Sequence, residues 1–117
     1  MTAVLMVGAA PAKVQTSSPA SETAKTGNAE EGKRLYIKYG CYECHGLAGQ
    51  GSTTSGPRIG PDPVPLPALV LYLRNPTGQM PPYTEKVVSN QELADIHAFL
   101  QSLPHPREAR TIPLLNE

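Results

Sequence analysis

The sequence predicts a small all-α domain of about three helices joined by loops rich in glycine and proline. Apolar residues recur every three or four positions in the helical segments, and no stretch shows the strict alternation typical of a strand. Between the helices, residues 46–60 hold five glycines and residues 57–67 hold five prolines. Long irregular loops are uncommon in a compact domain, so we expect these to wrap around a bound group.

The first predicted helix follows Asn28, whose side chain suits an N-cap. Glu30 and Glu31 would lie in the first turn, where negative charge is favourable. Gly32, together with the pair Leu35-Tyr36, falls at spacings that share one helix face. The helix is predicted to end at Gly40, where a left-handed conformation suits glycine.

Two more helices are predicted downstream. The second runs from about Ala68 to Arg74, after Pro67 and before Asn75-Pro76. The third opens at Ser89 or Asn90 and ends at Pro104. Its inward face is a stripe of apolar residues with Phe99 beside it: Leu93, Ile96, Leu100 and Leu103.

At 117 residues the chain forms a single domain, which we place at residues 28–104. Residues 1–12 are apolar and end in Ala-Pro-Ala, like the end of a secretory signal, although a positively charged start is missing. An arbitrary apolar N-terminus is the alternative. Residues 13–27 are polar and predict a flexible linker, and residues 105–117 form a tail. We therefore expect an exported, periplasmic protein.

Composition and charge limit the classes of function that this chain can have. The chain has one Phe, five Tyr and no Trp, so its core is small, and such domains usually need a metal, disulfide or cofactor for stability. Ten basic and ten acidic residues cancel without a basic run, which excludes nucleic acid as an expected partner. No apolar segment approaches the roughly 18 residues of a transmembrane helix.

Residues 41–45 read Cys-Tyr-Glu-Cys-His, the CxxCH pattern of c-type haem attachment. Each cysteine forms a thioether with one haem vinyl group, and two intervening residues let the chain bridge both groups. The adjacent histidine then reaches the iron as its proximal ligand. The motif predicts one haem c attached through Cys41 and Cys44, with His45 on the iron, and this attachment also stabilises the small core.

Other uses of the cysteine pair are possible. A thioredoxin-like pair follows a strand and opens a helix, whereas here a helix precedes and a Gly-rich loop follows. A zinc site needs four ligands, and the remaining histidines, His97 and His105, are too widely spaced. A plain disulfide and a chance match of the five-residue pattern are the remaining alternatives.

Met80 is the only methionine after the motif, and it lies in a loop stiffened by Pro81 and Pro82. A thioether ligand favours ferrous iron and raises the reduction potential, so we predict Met80 as the second axial ligand. Alternatively, Met80 fills a gap in the core. His97 is the rival ligand, although a boundary or surface position on the third helix is the simpler explanation for it. His105 falls in the tail.

A loop between the two predicted ligands is the candidate support for the histidine. An iron-bound imidazole normally donates its other N–H to a carbonyl, which fixes the ring. Residues 56–60 read Gly-Pro-Arg-Ile-Gly, and the Pro57 carbonyl is our candidate acceptor for His45. An ordinary turn is the alternative.

Together these motifs resemble the class I cytochromes c of bacterial type. Residues 32–46 resemble the N-terminal helix and haem motif, residues 56–60 the loop beside the proximal histidine, residues 78–82 the distal methionine loop and residues 92–100 the C-terminal helix. The resemblance spans residues 28–104.

This resemblance implies that the first and last helices cross beside the haem, with Gly32 at their close approach and Tyr36 and Phe99 packed near it. It also implies a partly exposed haem edge around the two cysteines, and it assigns Ile59 to the cofactor site. The candidates to contact the haem propionates are Arg58, Tyr72, Arg74 and Tyr83.

The expected function is single-electron transfer and not catalysis, because iron ligated by both His45 and Met80 has no open position for a substrate. The redox partners would be a donor dehydrogenase and an acceptor oxidase or another cytochrome. One alternative is a five-coordinate sensor of O₂, NO or CO, although helical-bundle cytochromes of that type carry the motif near the C-terminus. Another is a dedicated electron-accepting subunit of a periplasmic dehydrogenase, which the linker and tail leave open.

Overall fold

The computed structural model describes Gly8 and residues 26–116. The predicted signal (1–12) and linker (13–27) lie outside the described residues apart from Gly8, Thr26 and Gly27. The described part contains four α-helices: α1 (Ala29–Lys38), α2 (Cys41–His45), α3 (Leu66–Arg74) and α4 (Asn90–Ser102). Residues 26–116 contain no strand, which confirms the all-α prediction. None of the described helices has the length and hydropathy that a membrane crossing requires.

The helix ends follow local sequence chemistry. The Asn28 side chain accepts the N–H groups of Glu30 and Glu31, as expected of an N-cap. Ser89 and Glu92 form a reciprocal capping box at the start of α4. Helix α3 begins earlier than predicted, so Pro67 lies in its first turn, where the missing N–H leaves no helical bond unmade.

The five-residue helix α2 was not predicted as a helix. The tail also contains two single-turn 3₁₀ helices, Ala109–Thr111 and Pro113–Leu115. All three elements are too short for an apolar repeat to reveal them. Their existence depends on local hydrogen bonds that the sequence pattern does not show.

The most extensive helix contact joins α1 and α4. A Cβ on Gly32 would overlap the Asp95 carbonyl group, so only glycine permits this close crossing. Beside it the rings of Tyr36 and Phe99 lie 5.3 Å apart at a tilted angle. The buried apolar core comprises Leu35, Tyr36, Leu73, Val88, Leu93, Ile96, Phe99 and Leu100, with Ala94 buried beside it.

Asp95 is a buried carboxylate within this crossing. It accepts the Asn28 N–H at 2.8 Å and the Gln91 side-chain amide at 3.2 Å. Buried carboxylates require such partners, because desolvation without them is costly. Asp95 therefore ties the N-terminus of α1 to the middle of α4.

Candidate functional site

Helix α2 carries the CxxCH motif directly after α1. Gly40 links the two helices with φ +73°, the left-handed conformation that glycine adopts at low cost. Cys41 and Cys44 are one helical turn apart, so their side chains share one side of α2. Cys41 is half-buried against the core and Cys44 is exposed, and no disulfide joins them. Burial raises the pKa of the Cys41 thiol to about 11.

His45, at the end of α2, is only 8 % exposed. Its Nδ1 lies 2.8 Å from the Pro57 carbonyl oxygen, so the hydrogen bond expected between these residues is present. A carbonyl oxygen only accepts, and this contact therefore places the proton on Nδ1. In a neutral ring with the proton on Nδ1, Nε2 keeps its lone pair. This tautomer is the one that ligates a metal through Nε2.

The loop that holds Pro57 is fixed to α2 by further contacts. The Gly51 N–H donates to the His45 carbonyl at 2.8 Å, and the Ser55 hydroxyl donates to the Cys44 carbonyl at 2.7 Å. A Cβ on Gly56 would lie 3.0 Å from His45 Nδ1, so this glycine lets the loop approach the imidazole closely. Sequence reasoning did not identify Gly51 or Ser55, because their partners are main-chain carbonyls.

Two other predicted residues belong to the same loop. The Ile59 N–H donates to the Gly49 carbonyl at 2.8 Å, and the Ile59 side chain is half-buried against the core. Arg58 is exposed. The loop therefore presents the apolar Ile59 side chain inward to the core and the charged Arg58 side chain outward.

Tyr36 connects α1 to the end of the motif. Its side chain is fully buried, and its hydroxyl donates to the Gly46 carbonyl at 2.7 Å. Burial raises the pKa of Tyr36 to about 12, so the phenol stays protonated as a donor. The family resemblance implied that Tyr36 packs near the helix crossing, but it did not predict this hydrogen bond.

Met80 lies in a segment that we call the Met80 loop, residues 75–83. The Met80 side chain is half-buried and packs against the core. At the end of the loop, the Tyr83 hydroxyl donates to the Tyr39 carbonyl at 2.8 Å, and burial raises the pKa of Tyr83. Tyr72 is half-exposed, with its hydroxyl 3.1 Å from the Thr77 hydroxyl.

Arg74 joins the end of the Met80 loop to the start of α4. Its guanidinium donates to the carbonyl of Tyr83 at 2.7 Å, to the carbonyl of Val88 at 2.9 Å and to the Asn90 side-chain oxygen at 2.7 Å. Of the four residues predicted near propionates, Tyr72, Arg74 and Tyr83 thus make contacts within the protein.

A set of half-buried apolar side chains packs against the core. They come from the end of α1, from α2 and α3, from the loop at residues 56–60, from the Met80 loop and from the end of α4: Tyr39, Cys41, Tyr42, Ile59, Leu66, Leu69, Val70, Met80, Tyr83 and Leu103. These half-buried apolar side chains, together with the two motif cysteines and the His45 Nε2 that the bond to Pro57 leaves free, suit a largely apolar metal cofactor. The residues present therefore fit haem c.

The alternative uses of the cysteines find less support. A thioredoxin-like site requires a strand, and residues 26–116 form none. The described residues contain no group of three or more His, Cys, Asp or Glu able to hold a metal ion, as zinc would require. His97 Nε2 lies 3.0 Å from the Val64 carbonyl, so that nitrogen carries a proton and is occupied.

A helical domain with the CxxCH motif on a short helix, and with its histidine oriented by a proline carbonyl, defines a c-type cytochrome. Residues 27–100, well over half of the chain, match the family model described as cytochrome c oxidase, cbb3-type, subunit III. The chain belongs to this family, a family of c-type cytochrome domains. Neither a comparison with curated proteins nor one with solved structures yields a match. Membership implies covalently bound haem c, electron transfer and redox partners.

Proposed function

We propose that this chain is an exported electron-transfer protein that carries single electrons on one haem c, attached through Cys41 and Cys44 and ligated by His45 and Met80. The observation that carries the proposal is the 2.8 Å hydrogen bond from His45 Nδ1 to the Pro57 carbonyl, which leaves Nε2 available to iron. Because the chain has only two cysteines, it has one attachment motif and carries one haem.

When bound, haem supplies a reversible one-electron couple. The surrounding residues orient and protect it. Pro57 holds the imidazole in one tautomer, and the half-buried apolar side chains would limit access of water to the iron. A Met80 thioether ligand would favour the ferrous state and so raise the reduction potential. With His45 and Met80 both holding the iron, electron exchange would need no bond between iron and substrate.

A second candidate is a role as the electron-transferring subunit of a larger redox complex. It is favoured by the family description, which names a subunit of a cytochrome c oxidase. The site itself would work identically in both roles, since only the donor and acceptor differ. A dehydrogenase partner remains part of this second proposal. Purification from the native membrane and periplasm distinguishes a free carrier from a stoichiometric subunit.

Spectroscopy on protein matured with covalent haem tests the main proposal. The colour should survive acid-acetone extraction, with the mass of one haem added, and Cys41→Ser or Cys44→Ser should weaken this attachment. The ferric protein should show the weak long-wavelength band of thioether-ligated iron, and the ferrous protein should resist CO. Met80→Ala should remove the band, admit CO or cyanide and lower the potential, because a soft ligand is lost.

His97→Ala is the matched control, since it removes the rival ligand and should leave the band and CO resistance unchanged. Ready CO binding by the wild-type ferrous protein would contradict axial ligation by Met80 and would favour the gas-sensor alternative. Loss of the low-spin spectrum in His97→Ala alone would transfer the ligand role to His97.

A further inference from the structure

Two hydrogen bonds hold the two ends of the Met80 loop together and form its base. Both join Tyr83 to the last residues of α3. The Tyr83 N–H donates to the Leu73 carbonyl at 2.8 Å, and Arg74 donates to the Tyr83 carbonyl at 2.7 Å. The chain thus leaves α3 and returns to the same point after residues 75–82. Within the described residues, the segment 76–82 makes no hydrogen bond between two backbone groups. Apart from the packing of the Met80 side chain on the core and the contacts of Thr77 with the Tyr72 hydroxyl, the position of Met80 depends on how the base is held.

Tyr83 also joins this base to the CxxCH side of the molecule. Its hydroxyl donates to the Tyr39 carbonyl at 2.8 Å, and Tyr39 is the residue before the Gly40 turn into α2. One side chain therefore links the end of the Met80 loop to the start of the motif that carries His45.

Arg74 holds the base from the other side. Besides the Tyr83 carbonyl, its guanidinium donates to the Val88 carbonyl and to Asn90 at the start of α4. It is the only charged residue between Asp62 and Glu85. Its partners in the structure are neutral oxygens on two segments of the chain, which is how a guanidinium crosslinks loops.

We propose that Tyr83 and Arg74 are positioning residues that keep the Met80 loop closed and so set the rate at which the axial position opens to external ligands. This inference rests on the proposed ligation by Met80. Local opening of a loop requires breaking only its own contacts, so its free energy is smaller than that of global unfolding. Exogenous ligands enter through this opening, and weaker closure increases the open population.

Tyr83→Phe tests the proposal, because it keeps the ring and removes the hydroxyl that donates a hydrogen bond to the Tyr39 carbonyl. We expect imidazole to replace the sixth ligand of the ferric protein about fivefold faster in stopped-flow measurements, as follows from a net hydrogen-bond contribution of about 1 kcal/mol. The amide of Tyr83 should also exchange its hydrogen faster. Arg74→Lys, which keeps the charge but not the three-donor geometry, should show the same change.

Ser102→Ala is the control. It removes a hydroxyl that donates to the Phe99 carbonyl at 2.6 Å in the last turn of α4, outside the Met80 loop. We expect it to leave the imidazole rate unchanged. Equal rates in wild type and Tyr83→Phe, or an equal acceleration in Ser102→Ala, would overturn the positioning role. Absence of the thioether band from the wild-type protein would instead overturn the Met80 ligation on which the inference rests.

Discussion

The crossing of α1 and α4 can be tested by adding one methyl group. In Gly32→Ala the new Cβ would overlap the main-chain carbonyl of Asp95, which cannot rotate away as a side chain can. The two helices must separate, and the separation loosens the buried pair Tyr36 and Phe99 beside the crossing. The substitution is thus expected to destabilise the fold at its most extensive helix contact.

The magnitude follows from two opposing effects. Overpacking a tight contact costs about 1–3 kcal/mol, and the upper part of this range applies because the clash is with main chain. Alanine in a helix interior recovers about 1 kcal/mol relative to glycine. The net loss is about 2 kcal/mol. For a domain of this size it lowers the melting temperature by roughly 10 °C.

The assay is thermal unfolding of the haem-loaded protein, followed by far-ultraviolet circular dichroism. Lys33→Ala is the control, since Lys33 is the exposed neighbour of Gly32 in α1, and its melting temperature should change little. A Gly32→Ala protein as stable as the wild type, or more stable, would show that helix propensity outweighs the contact and would refute the close crossing.

Two further predictions concern hydrogen bonds across the domain. Burial by itself raises the pKa of Glu92, but hydrogen bonds from the Ser89 N–H and the Tyr39 and Ser89 hydroxyls lower it overall. The lowered pKa stabilises the fold above the unfolded pKa of about 4.3, and this stabilisation is lost as pH falls through the folded pKa. Wild type should therefore exceed Glu92→Gln in melting temperature by more at pH 7 than at pH 3, and a constant difference would contradict this linkage. Tyr36→Phe should lower the free energy of unfolding in urea by about 1 kcal/mol, because the hydrogen bond to the Gly46 carbonyl is lost. An unchanged urea midpoint would mean that this buried hydrogen bond does not contribute to stability.

Much of the fold was predictable because its signals are local. Asn28 and Ser89 cap helices through their own neighbouring N–H groups, so a few residues contain the whole interaction. The stripe that includes Leu93, Ile96 and Leu100 is buried as its spacing predicted. The early start of α3 was missed because Pro67 was interpreted as a boundary, although proline is equally at home in a first helical turn.

The candidate site was predictable only in part. The CxxCH motif is a run of adjacent residues and can be read directly from the sequence. The Pro57 carbonyl was inferred because an iron-bound imidazole needs an acceptor for its other N–H. The donors Tyr36 and Ser55 were not identified as partners of this segment, although both bond to carbonyls next to His45. Every residue has a carbonyl, so a sequence cannot show which one a distant hydroxyl will reach.

By itself, therefore, the sequence determined the helical class, the haem motif and the identity of the candidate ligands, because these depend on residue type and on short spacings. Only the tertiary structure decided which groups meet: Gly32 against the Asp95 carbonyl, His45 on Pro57, and Arg74 between Tyr83 and Val88. Each of these contacts joins residues distant in sequence or uses a main-chain acceptor. Main-chain acceptors are chemically alike along the chain, and only the path of the folded backbone distinguishes one from another.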